Sequence, residues 1–171
     1  MDSAAMAWLM IAPALIGVVL CLASGRGVPW QGRQAVIVMA AAMVAMGLAG
    51  SDPRVSLLAG GLLLASAMIG TVGLRGAAGA SSCCHRALGC VVMAVCAFAG
   101  LAGSEISAPT GHGSHLGSDA VAALGAIGVC ALAVWTIING IRGHAPARAR
   151  RWMLAEEWVM TAGILIMWAL H

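Results

Sequence analysis

Six apolar stretches alternate along this chain with short segments that collect its Gly, Pro, Ser and charged residues. The stretches run over 3–24, 34–50, 55–74, 84–103, 119–141 and 152–170. About 20 apolar residues span the hydrocarbon core of a bilayer as an α-helix. None of the stretches keeps the strict alternation of a half-buried strand. The pattern therefore predicts an all-α protein, an integral membrane six-helix bundle forming a single transmembrane domain over 1–171. The first stretch is broken only by Pro13 and has no basic residue before Arg26, so it reads as a retained helix and not as a cleaved signal. Ser51-Asp52-Pro53-Arg54 reads as a tight turn, and the longest polar connection is 104–118.

A second pattern lies inside the even-numbered stretches. Ala35, Met39, Met43 and Met46 align without gaps with His85, Gly89, Met93 and Cys96, and again with Glu156, Met160, Ile164 and Met167. Steps of 4, 4 and 3 residues place each set along one helix face. The odd-numbered stretches end alike, at Gly25-Arg26, Leu74-Arg75 and Ile141-Arg142. Three helical hairpins pointing the same way, a parallel repeat, are expected from this.

Composition agrees with lipid as the solvent. The chain is 61% hydrophobic and 9% charged, with a mean hydropathy of +0.97. A soluble domain carries about 25% charged residues, enough to cover a water-facing surface. The 23 Gly suit helices that must approach closely where no hydrophobic effect presses them together. All nine basic residues are Arg. Arg26, Arg33, Arg75, Arg86, Arg142, Arg148, Arg150 and Arg151 flank the odd-to-even connections, and Arg54 alone flanks the other side. That bias places those connections in the cytoplasm and both termini outside a cytoplasmic (cell) membrane. It is a topology signal, not a nucleic-acid-binding surface. Of the six Cys, Cys21, Cys90, Cys96 and Cys130 fall in apolar segments, and Cys83 and Cys84 lie at the expected cytoplasmic edge. Free thiols are expected, not a disulfide framework.

The candidate chemistry is soft-metal binding. Thioether and thiolate favour Cu(I), and imidazole accepts copper or zinc. His112 and His115 would capture the ion outside, Met39, Met43, Met46, Met93 and Cys96 would receive it within the span, and Cys84 with His85 would stand at the inner end. From His85 to Cys96 is about 16 Å along a helix. Against this stands the ordinary use of Met and Cys as apolar packing. The adjacent Glu156 and Glu157 point about 100° apart, so they form no catalytic dyad. They are expected at the cytoplasmic edge, paired with Arg148, Arg150 or Arg151; the alignment offers a different place for Glu156, facing His85 inside the bundle. No hydrolase, nucleotide or zinc-protease motif is present, so no enzyme, catalytic residue or organic cofactor is expected.

The chain resembles an actinobacterial family of small Met- and His-containing multi-pass membrane proteins of unknown function. The resemblance runs through Trp8-Leu9 and Cys21-Leu22, the Met39/Met43/Met46 helix, Cys84-His85, the His112-Gly-Ser-His115 loop and the closing Met160-to-Met167 helix. It implies a membrane protein and no particular activity. Met39 and Met43 also have the Met-x-x-x-Met spacing of small copper-uptake channels, a similarity of spacing alone. Copper binding or passage is thus the leading expectation. The other is a non-catalytic accessory or scaffold subunit. The partners that fit are the lipid bilayer, further copies of the chain, or a larger membrane complex.

Overall fold

The structure, a computed structural model, describes residues 3–24, 30–49, 52–72, 80–104, 115–142 and 147–170. These form six helices: α1 (Ser3–Ala23), α2 (Trp30–Ala49), α3 (Pro53–Thr71), α4 (Ala80–Ser104), α5 (His115–Arg142) and α6 (Ala147–Leu170). There is no strand among the described residues. Among the described residues, four segments are long and apolar enough to cross a membrane: Trp30–Ala49, Pro53–Thr71, Ala80–Leu101 and Asp119–Ile141. In α1 the described apolar part is Ile11–Ala23, and the first half of α6 carries Arg151, Glu156 and Glu157.

The elements match the apolar stretches, but α2, α4, α5 and α6 each begin four or five residues before the apolarity does. Polar residues such as Arg33, Gln34, Ser81 and Ser82 lie inside these first turns. A helix entering lipid satisfies its backbone internally, so the coil continues through the polar border. Before α3, the Asp52 side chain accepts from Arg54 N at 2.9 Å, with Pro53 opening the helix. Pro needs no partner for the N–H it lacks there, and Asp supplies the cap.

The helices close into a ring in which each packs on its neighbours in sequence and α1 packs on α6. Inside the ring α4 also touches α2 and α6. Each odd-numbered helix therefore covers a groove between two even-numbered ones. Small residues permit this. A Cβ at Gly60 of α3 would stand 2.6 Å from the Phe98 ring of α4, and one at Gly128 of α5 would stand 2.8 Å from Val92 of α4.

Large apolar side chains such as Leu58, Leu62, Met68, Ile127, Val134 and Ile141 face outward, while the mostly apolar interior also holds His85, Arg86, Thr136, Glu156, Glu157 and Thr161. An apolar exterior with the few polar and charged groups turned inward suits lipid.

Candidate functional site

The even-numbered helices turn their aligned faces inward. All twelve positions of the three sets, from Ala35 and His85 to Met167, are buried. Midway along, the faces meet: a Cβ at Gly89 would lie 3.2 Å from the Met39 methyl and 3.5 Å from Ile164 Cδ1. Gly163 stands in the same relation to Met43 Cε, at 3.4 Å, and to Pro13 Cβ, at 3.2 Å. Met39, Met43 and Met160 line a shallow, partly open apolar groove between α1, α2 and α6, together with Ala14, Gly17 and Gly163. Met46, Met93, Cys90, Cys96 and Met167 fill the rest of the interior.

At the end of the bundle that carries the α1–α2, α3–α4 and α5–α6 connections, here called the Arg-rich end, the interior becomes charged. Arg86, one turn and a half into α4, donates from Nη2 to Glu156 Oε1 at 2.7 Å and to Oε2 at 2.8 Å, and from Nε to Oε1 at 3.0 Å. Their side chains are 2% and 1% exposed. The planar fork of Arg matches both carboxylate oxygens, which partly offsets the cost of removing two charges from water.

Beside the pair, His85 Nε2 lies 2.9 Å from Thr136 Oγ1. Thr136 Oγ1 donates to Leu132 O at 2.9 Å, and Thr161 Oγ1, 3.0 Å from Thr136 Oγ1, donates to Glu157 O at 2.8 Å. A hydroxyl has one proton. With that of Thr136 directed to its own helix, His85 Nε2–H donates to it and Nδ1 keeps its lone pair. Nδ1 has no partner. Glu157 is also buried; the Asn139 amide of α5 hydrogen-bonds its carboxylate, and Oε2 has no partner.

The residues singled out in the sequence divide three ways. Met39, Met43, Met46, Met93, Cys96 and His85 are buried inside the bundle. Cys84 is exposed, while Cys83 turns inward. His112 lies outside the described residues, and His115 is the first residue of α5 and not part of a loop, its side chain outside those described. Among the described residues no three His, Cys, Asp or Glu side chains converge on a metal-sized space.

Two expectations are corrected. Glu156 does not sit at the edge with Arg148, Arg150 or Arg151; it is buried on Arg86. Arg86 is accordingly an interior charge and not one of the residues flanking a connection. The reason is position: it follows the start of the apolar stretch by two residues, close enough to pass for a flank, but α4 begins at Ala80 and carries it into the core. Thr136, Asn139 and Thr161 carry no expectation from the sequence, because an isolated hydroxyl or amide does not interrupt an apolar stretch. Thr161, five residues after Glu156 in a stretch with charges, was the nearest to a usable signal. No family model, curated protein or solved structure matches this chain.

Proposed function

We propose that this multi-pass membrane protein binds and passes a soft metal ion, Cu(I), through its interior. The carrying observation is the groove between α1, α2 and α6, where Met39, Met43 and Met160 share one apolar space. Thioethers hold Cu(I) in sites that harder cations do not occupy, and a water-poor wall favours the singly charged ion over divalent ones. Met46, Met93 and Cys96 continue the sulfur-bearing interior toward the opposite end. In this reading His112 and His115 capture the ion, and the exposed Cys84 at the Arg-rich end hands it on. Both termini lie outside the cytoplasmic membrane, an orientation supported by the Arg distribution. The shared burial of the three aligned faces supports descent from one repeated hairpin.

The test is an anaerobic Cu(I) titration of the purified full-length protein in lipid nanodiscs, in competition with a chromophoric chelator. Wild type is expected to hold copper above background. The triple change Met39→Leu/Met43→Leu/Met160→Leu is expected to abolish this with helical content unchanged, since Leu keeps volume and apolarity. The change His112→Ala/His115→Ala is expected to slow loading. Wild type holding no more copper than the triple variant refutes the metal reading and leaves the accessory-subunit reading in its place.

A further inference from the structure

We propose that Glu157 is a proton-binding site within the membrane domain, its carboxyl carrying one exchangeable proton loaded from the Arg-rich end.

The argument is charge balance in a buried space. Glu156 is compensated, with both oxygens on Arg86. Glu157 beside it is 7% exposed. Charged and polar groups near the Arg86–Glu156 pair and Glu157 come from each helix packed on α6. From α4 come Arg86, already forked onto Glu156, and His85. From α5 come Asn139, which hydrogen-bonds the carboxylate, and Thr136. From α1 comes Cys21, which lies near Glu156, Arg86 and Arg33. At Arg86, then, two carboxyls face one guanidinium.

An ionised Glu157 would leave a negative charge uncompensated next to a second carboxylate in a medium of low dielectric. A metal cation could compensate it, but among the described residues no three His, Cys, Asp or Glu side chains converge on such an ion. A proton needs one oxygen, and Glu157 Oε2 is an oxygen without a partner.

The route in would follow the first turns of α4, where Ser82 Oγ, His85 Nδ1 and Arg86 Nη1 are buried polar atoms without protein partners, of the kind to which water hydrogen-bonds. Loading adds one proton from that side to Oε2, and unloading returns it; no other bond changes.

The measurement is infrared spectroscopy of the full-length protein in nanodiscs at neutral pH, in H2O and in D2O. Wild type is expected to show the C=O band of a protonated carboxylic acid, shifted on deuteration. Glu157→Gln is expected to remove the band, and Glu156→Gln, which frees Arg86 to compensate Glu157, is expected to weaken it. Absence of a protonated-acid band in wild type overturns the proposal, as does a band that ignores D2O. So does a band that survives Glu157→Gln and vanishes in Glu156→Gln. Should Glu157→Gln not fold, Glu157→Asp takes its place: the band must move in frequency, and an unmoved band overturns the proposal.

Discussion

At the scale of single residues, the bundle is held at its Arg-rich end by one ion pair that neither partner can lose alone. Arg86 and Glu156 are almost fully buried, so removing either strands the other in a medium that cannot solvate it. Arg86→Leu and Glu156→Leu are each expected to cost about 3–5 kcal/mol of stability, measured by denaturant unfolding in detergent micelles. The double change Arg86→Leu/Glu156→Leu removes both charges together and is expected to cost much less than the sum. Additive losses would show that the two residues stabilise the bundle independently. Hydropathy detects such a pair as two charges in apolar stretches, a recognisable anomaly. It cannot say that they meet across 70 residues of chain. His85 was picked out as a ring among sulfurs, and its hydrogen-bond partner Thr136, 51 residues away, was not.

At the scale of helices, packing depends on where side chains are missing. Gly60 admits the Phe98 ring at a distance no Cβ tolerates, while a Cβ at its neighbour Gly61 would meet nothing within 4 Å. Gly60→Ala is therefore expected to force α3 and α4 apart and cost about 1–3 kcal/mol. Gly61→Ala is expected to be neutral or to stabilise by up to about 1 kcal/mol, through helix propensity. Thermal unfolding of the two variants, side by side, tests the contrast; equal loss at both sites would mean that the α3–α4 contact does not limit stability. The two glycines are adjacent and indistinguishable in sequence. Periodicity marked which faces of α2, α4 and α6 carry the ligating and polar side chains, because steps of 4, 4 and 3 residues recur. It did not mark where α2, α4, α5 and α6 begin, because backbone hydrogen bonding carries each coil past the point where its side chains turn polar.

At the scale of the whole molecule, outward-facing leucines and isoleucines surround inward-facing charges, so the bundle needs lipid on its flanks. The Arg-rich end is expected to face the cytoplasm. In a background without native Cys, a membrane-impermeant thiol reagent should label Ser114→Cys in intact cells and Ala147→Cys only after permeabilisation. The opposite pattern would invert the orientation and move the proposed capture site of His112 and His115 to the inner side. With Arg86 in the interior, seven Arg remain near the odd-to-even connections against Arg54 on the other side, and that bias is what the labelling experiment tests.

Fold class, helix number and the grouping of the Met-bearing positions on single helix faces follow from local pattern. Each depends on whether a residue is apolar and on its spacing along one helix, and a single chain states both; that those faces turn inward and not to lipid is decided by packing. Which helices become neighbours, and so which buried atoms find partners, depends on contacts between residues far apart in the chain. The closing of α1 onto α6, the Arg86–Glu156 pair and the His85–Thr136–Thr161 group are of this kind. So is the unpartnered oxygen of Glu157, because a missing partner becomes visible only when every neighbour is in place.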